Sequence, residues 1–432
     1  GSTQRASQFT GSNYGDVIYT GGASNIAYGY GGNDYIRGGD GRDYITAGIN
    51  RSDLTNDDDI VYGGGGTDII AGGGGHDTLW ADDGSGNYEI ESAASSERGD
   101  WITGQYGSDR LYGSAGQDIL FGGEGDDTVH GGAGNDLILG DAHYLTGSSG
   151  VGLGSGSGFS AWRWDTGSPQ RLPSSHYENS IVVANSTIYN WQVSTTETDY
   201  TLTPGRPLFS QDRIQAGTPD SSWNDTLHGG AGNDWIAGQK GDDTLYGGDG
   251  DDILYGDDSV PMPGGAADEG HDRLNAGQGA DILYGGGGND VLDASETDGA
   301  RDVLHGGEGD DVLIGGTGGD VLYGGAGHDT LRAGTGDTQM EGGEGNDHYL
   351  TSTGHDTLLD TGGDDVYRLS TGNDRIADHG GHDTYQLGFG HLALGGTTTI
   401  QDVDGQGAIT YNGHTLSADS VYAGKFRQRC CV

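Results

Sequence analysis

The sequence predicts an all-β fold: a solenoid of parallel strands wound from nine-residue units. Three observations predict it. Glycine fills 91 of 432 positions, about three times its usual share. The pattern GGxGxD, then three residues with a large apolar one in the middle, restarts without a gap, as in GGAGNDWIA, GQKGDDTLY and GGDGDDILY from Gly229. Leu, Ile, Val and Phe together supply only 73 positions beside a formal charge of −47, which is too little apolar surface for a conventional core of this length.

The positions of the nonapeptide each have a physical reading. Glycines in the first, second and fourth places are expected to take the positive φ of a tight turn. Aspartate in the sixth place sits where turn meets strand. The eighth residue, mostly Ile, Leu or Val, points inward, and the seventh and ninth point out. Two units, 18 residues, make one coil with a strand on each face, and coils stack at about 4.8 Å. The same unit recurs as GQYGSDRLY, GSAGQDILF, GGEGDDTVH and GGAGNDLIL from Gly104, and as GGEGDDVLI, GGTGGDVLY and GGAGHDTLR from Gly306. Four regions follow: a first array over 11–141, an aromatic-rich β insert over 142–222, a second array over 223–390, and a C-terminal β cap and tail over 391–432.

The sixth place can be tracked along the chain. The first array carries Asp16, Asp34, Asp43, Asp59, Asp68, Asp77, Asp100, Asp109, Asp118, Asp127 and Asp136, with Asn25 taking the place once. The second carries Asp225, Asp234, Asp243, Asp252, Asp272, Asp281, Asp290, Asp302, Asp311, Asp320, Asp329, Asp347, Asp356, Asp365, Asp374 and Asp383.

Charge narrows the partners. A pI near 4.1 argues against nucleic acid and anionic membrane surfaces, which select Lys and Arg. No apolar run reaches the ~20 residues of a membrane span, and GSTQRASQFT shows no charged-then-apolar leader. The two cysteines, Cys430 and Cys431, are adjacent, so no disulfide framework supports the fold. Carboxylates outnumbering cations 66 to 19 invite a hard ion, and six to eight oxygen ligands in flexible geometry suit Ca²⁺. This nonapeptide is a signature of calcium-binding parallel β-helices.

On these residues the chain resembles the RTX (repeats-in-toxin) proteins over most of 11–390. The resemblance implies a parallel β-roll, with multiple Ca²⁺ ions between neighbouring turns of one edge. The sixth-place aspartates named above and the carbonyls of the glycine-rich turns would be the ligands. Pairs such as Asp118 with Asp136, Asp234 with Asp252, and Asp311 with Asp329 then share ions. It also implies a protein secreted by a type I system, extracellular or on the bacterial cell surface, that folds on meeting calcium outside the cell. Such arrays accompany lipases, proteases, toxins and adhesins, so the resemblance fixes a scaffold rather than an activity.

Short insertions at about 47–55, 81–98, 256–269 and 294–301 read as loops at the coil corners. The larger insert holds Trp162, Trp164, Tyr177, Tyr189, Trp191 and Tyr200, and SIVVANSTIYNWQV and TDYTLT read as strands. Its aromatics are expected to pack on the flank of the roll, and if exposed they would stack on sugar rings. After Asp383, TTTIQDVDGQGAITYNGHTLSADSVYAG alternates around a DGQG turn. It reads as a cap and is similar to the module that follows RTX arrays. KFRQRCCV does not resemble the family's export signals.

Catalysis is not expected. HExxH and GxSxG are missing, and the repeat accounts for the paired carboxylates that would otherwise suggest a glycosidase. His76, His271, His328, His355 and His382 all fall in the fifth, outward place, and Asp100 of Arg98-Gly99-Asp100 is already a sixth-place residue. The main expectation is a calcium-binding module of a secreted protein. The alternatives are a structural or adhesive surface protein that uses the roll as a stiff spacer and the insert as a glycan or protein contact, and an enzyme with its site in the insert.

One departure from the pattern carries a prediction. AGTGDTQME puts Thr338 in the sixth place, 18 residues from both Asp320 and Asp356. A calcium-soaked crystal should show weak or missing ions on that edge beside Thr338, and fully occupied, normal sites there would contradict the assignment.

Overall fold

The computed structural model describes residues 7–48, 57–82, 98–140, 224–257, 270–387 and 398–416, apart from positions 23, 42, 67, 240 and 412. It also describes six short strands between Trp162 and Thr203. The chain forms two compact units, Gly1–Lys240 and Gly241–Val432. Among the described residues there is no helix, and hence none able to cross a membrane. The fold is all-β, and each unit is a parallel β-roll.

Alternate strands of the chain build alternate sheets. In the first unit one sheet runs Ser7–Thr10, Asn25–Tyr30, Tyr44–Gly48, Ile69–Gly74, Arg98–Tyr106, Gln117–Glu124, Leu137–Leu139 and Trp235–Ala237. The facing sheet runs Val17–Tyr19, Tyr35–Asp40, Ile60–Gly65, Thr78–Trp80, Arg110–Tyr112, Thr128–Ala133 and Thr226–Ala231. All these pairs are parallel, and an undisturbed coil sets the register at 18 residues, as in Leu111↔Val129 and Leu120↔Ile138. The second unit repeats the scheme from Thr244–Asp249 and Ile253–Tyr255 onward.

The eighth-place residues form the core. Ile36, Val61, Leu79, Leu111 and Leu120 in the first unit, and Leu245, Leu283, Leu304, Leu313 and Leu331 in the second, are all 0% exposed. Each stacks on its counterpart one coil away, so two thin columns of aliphatic side chains replace a globular core. The sparse apolar content suffices because only one residue in nine has to be buried apolar. Outside the sheets, ninth-place rings line up along the axis. Tyr62, Trp80, Tyr112, His130 and His228 succeed one another with centroids 3.8–6.2 Å apart. Tyr255, Tyr284, His305 and Tyr323 do so at 4.7–4.8 Å. Parallel stacking turns ring faces toward each other and ring edges outward.

Insertions leave the stacking intact. Pairing partners lie 25 residues apart at Ile36↔Val61, 32 at Ile70↔Ile102, 29 at Leu245↔Leu274 and 21 at Leu283↔Leu304. The surplus in each case is the loop. The long insert behaves alike: Val129 pairs with Leu227 and Ile138 with Ile236, so residues 224–239 complete the first unit. Within the insert, Trp162–Asp165 pairs antiparallel with Ser168–Arg171, Ile181–Val183 with Thr187–Tyr189, and Gln192–Val193 with Leu202–Thr203. The packing of its aromatic side chains lies outside the described residues, as do Cys430 and Cys431.

At the C-terminal end Thr399–Asp402 and Ala408–Tyr411 still add in parallel to Arg375–Asp378 and Thr384–Leu387. Asp402 closes the turn between them, accepting from Gly405 N–H at 2.6 Å and Gly407 N–H at 3.0 Å. His414–Thr415 then folds back antiparallel on Ala408–Tyr411, which ends the parallel ladder.

Truncating a column residue should be costly. Leu313→Ala is expected to lose about 2–5 kcal/mol in calcium, read by chemical denaturation, whereas Val312→Ala in the half-exposed seventh place should lose clearly less.

Candidate metal centre

Every predicted sixth-place aspartate falls among the described residues, and all but Asp16 are buried. The turns stack through them. The backbone N–H of one aspartate donates to Oδ1 of the aspartate one coil on, as in Asp109 to Asp127 at 2.7 Å, Asp118 to Asp136 at 2.8 Å, and Asp311 to Asp329 at 2.9 Å. One such ladder of the second unit runs Asp243, Asp272, Asp290, Asp311, Asp329, Asp347, Asp365 and Asp383. The ladder on its other edge runs from Asp252 through Asp281 and Asp302 to Asp320, and resumes where Thr338 N–H donates to Asp356. The Thr338 hydroxyl is buried without a hydrogen-bond partner.

The second carboxylate oxygen has another fate. In Asp34, Asp43, Asp59, Asp77, Asp109, Asp127, Asp272, Asp281, Asp290, Asp311, Asp329, Asp347, Asp365 and Asp383, Oδ2 is buried with no hydrogen-bond partner. Such an atom is expensive to leave uncompensated. Its surroundings are oxygen-rich. A Cβ built on Gly306 would lie 2.6 Å from the carbonyl oxygen of Gly324 in the next coil, and closer still to Asp311 Oδ2. Gly122 faces the Gly140 carbonyl at 2.6 Å and Asp127 Oδ2 in the same way. The first-place glycine therefore keeps open a cradle lined by a carboxylate and carbonyl oxygens.

This corrects one expectation. Positive φ falls mainly in the second and fourth places, as in Gly307 (124°) and Gly309 (125°), reaches a third place at Gly299 and Gly362, and does not extend to Gly306. The first place needs glycine for room, not for backbone freedom. In the second place even Tyr30, Gln105 and Gln239 adopt positive φ, at 84–87°, whereas Gly39, Ser114, Gly316 and Gly334 do not.

Not every turn is alike. Asp16, Asp118 and Asp320 use Oδ2 to accept the N–H of the second-place residue, from Ser12 at 2.6 Å, Ser114 at 2.5 Å and Gly316 at 2.7 Å. Those turns are closed by the protein itself. Fifth-place residues form a further ladder of opposite sense: His328 N–H donates to Asp310 Oδ1, Asn346 N–H to His328 Nδ1, Asp364 N–H to Asn346 Oδ1, and His382 N–H to Asp364 Oδ1, at 2.7–2.8 Å. The fifth-place histidines are thus exposed spacers in a backbone ladder. Asp100 of the Arg-Gly-Asp triplet is buried in its stack.

Sequence reasoning missed Asp360 and Asp378. They occupy the first place of DTGGDDVYR and DHGGHDTYQ, where Gly306, Gly324 and Gly342 stand in the preceding coils of the same edge, and both are buried. Their carboxylates join sixth-place partners in two trios, Asp347–Asp360–Asp365 and Asp365–Asp378–Asp383. A comparison of first places along the register would have found them.

Hard, buried, oxygen-only donors next to an open cradle fit Ca²⁺. The family model of the RTX calcium-binding nonapeptide repeat matches residues 10–45, 46–87, 96–129, 103–138, 228–258, 267–299, 296–331, 323–358 and 359–391. The chain belongs to the RTX calcium-binding repeat family. A search of curated proteins found no match. As an RTX protein the chain carries calcium-binding repeats along both units.

Electrostatics supply a test. Burial pushes the carboxyls of Asp311 and Asp347 up to about 7, those of Asp59 and Asp290 to about 8, and that of Asp272 to about 9, each partly offset by the N–H bond from the coil before. Folded values above the ~4 of a free aspartate mean that protons favour the ion-free roll. That contribution is complete below about pH 4 and is lost as pH rises through about 7 to 9. In EDTA, far-UV circular dichroism should show β-structure waning as pH is raised across this window. In saturating calcium the trend should reverse, because ion and proton compete for the same oxygens. Ion-free stability that rises with pH would contradict the burial argument.

Proposed function

We propose that this chain is a calcium-driven folding module of a secreted bacterial protein, a coil in the calcium-poor cytosol and a roll in the calcium-rich exterior. The observation that carries this reading is the row of buried Oδ2 atoms beside first-place glycine cradles. Each ion would be held by sixth-place Oδ2 atoms and by first-place carbonyls of the next coil, and would supply the positive charge that the protein lacks there. The cradle consists of atoms from successive coils, so it exists only when they stack, and ion binding then adds directly to folding free energy.

The same coupling supports a role in export and stabilisation. A chain with a formal charge of −47 repels itself while unfolded, stays extended for a type I channel, and is trapped outside by calcium. The carboxylates are committed to stacking and to ions, so this reading gives them no catalytic task.

The test is a Ca²⁺ titration of the EDTA-treated chain, followed by far-UV circular dichroism and tryptophan fluorescence with Mg²⁺ as control. The expected result is a cooperative coil-to-β transition with calcium alone. A chain that is already folded in EDTA at neutral pH and indifferent to either ion would overturn the proposal.

A further inference from the structure

Two departures from the nonapeptide coincide in the last coils of the second unit. The opening glycine, present at Gly306, Gly324 and Gly342 on this edge, gives way to Asp360 and then Asp378. In the eighth place the aliphatic residue gives way to Tyr349, Tyr367 and Tyr385. All five side chains are buried.

The substitutions meet. In each trio, Asp347–Asp360–Asp365 and Asp365–Asp378–Asp383, one oxygen per carboxylate lies within 4.8 Å of the others. Calcium–oxygen bonds of about 2.3–2.6 Å place opposite ligands of one ion about 5 Å apart. The tyrosine rings stack with centroids 4.7 and 5.0 Å apart and planes 6° and 17° from parallel, which sets their hydroxyls in a row along the carboxylates. Tyr349 accepts from Gly342 N–H at 2.6 Å and donates to Asp360 Oδ1 at 2.9 Å, and Tyr385 donates to Asp378 Oδ2 at 2.6 Å. Between them, the Tyr367 hydroxyl is buried with no hydrogen-bond partner, in the field of Asp378, Asp360 and Asp365. The Oδ2 atoms of Asp347, Asp360, Asp365 and Asp383 are buried and meet no N–H or O–H donor, and the carboxyls of Asp360 and Asp365, and of Asp378 and Asp383, stand close enough to share either a proton or an ion.

We propose that the two trios are a pair of divalent-cation sites of a second kind, sharing Asp365 and completed by the Tyr367 hydroxyl, with Asp360 and Asp378 as ligands that the ordinary repeat lacks. The proposal rests on the calcium reading above and extends it. Five carboxylates face two dications here, whereas the glycine-opened coils of the same edge offer one sixth-place carboxylate each. Ligand charge raises affinity, so these two sites fill first.

The test is Ca²⁺ calorimetry with equilibrium dialysis on the full chain, comparing it with Asp360→Gly/Asp378→Gly, which restores the first-place glycine of the neighbouring coils and leaves the tyrosine stack in place. Two ions should bind the parent chain ahead of the rest. In the double variant those two should weaken about 10–100-fold with the remaining isotherm unchanged. Tyr367→Phe, which keeps the ring stack, should weaken the same two by less. Identical isotherms for parent and double variant would overturn the proposal while leaving the general calcium reading standing. So would an unchanged isotherm accompanied by altered proton uptake, which would mean that the trios share protons rather than ions. A parent chain that binds no calcium would overturn both.

Discussion

Buried carboxylate without buried cation is the constraint on which the whole molecule turns. A chain with 66 acidic and 19 basic residues cannot answer its inner-edge aspartates with salt bridges. The repeat divides each carboxylate between two tasks instead. Oδ1 takes the N–H of the neighbouring coil, while Oδ2 faces the cradle, except in the turns of Asp16, Asp118 and Asp320 that close on it. Fold and site are therefore one object. A change at a sixth-place aspartate reaches both, because the oxygen that stacks the coil and the oxygen that faces the cradle belong to one carboxylate.

The parts of this arrangement that depend on side-chain alternation were legible in the sequence. Register, two-sheet winding and the inward eighth place all follow from periods of nine and eighteen, and Ile102, Leu120 and Leu313 sit where that count puts them. What escaped was contact between coils, which a linear template does not encode. Gly306 is small because of an oxygen one coil away, and Gln105 holds an awkward φ of 86° because its neighbours stack on either side. Asp360 and Asp378 stand where the preceding coils of their edge have glycine. Only the superposition of coils shows that each substitution delivers a carboxylate to a place that others leave open.

The two ladders of the turns run in opposite senses. Sixth-place oxygens accept from the coil before, and fifth-place side chains accept from the coil after. Each coil is thus held from both sides by bonds whose donors are backbone, so the fifth place needs only a short side-chain acceptor, which Asp310, His328, Asn346 and Asp364 supply in turn. Nearest-neighbour coupling of this kind makes stability a sum over interfaces. A weak coil such as that of Thr338 is then a local fault that its neighbours bridge.

The spliced segment between Leu139 and Thr226 shows how little such a scaffold resents passengers. Asp127 and Asp225 meet across 98 residues as closely, at 2.7 Å, as Asp109 and Asp127 do across 18. Polymer statistics put the extra closure entropy of the longer span at about 1.5 kcal/mol, an amount that a single well-packed aliphatic side chain can offset. Corners of the roll are in that sense docking berths: foreign sequence can be grafted there, lengthened or exchanged, while the register on either side is kept by the stacks of the coils themselves.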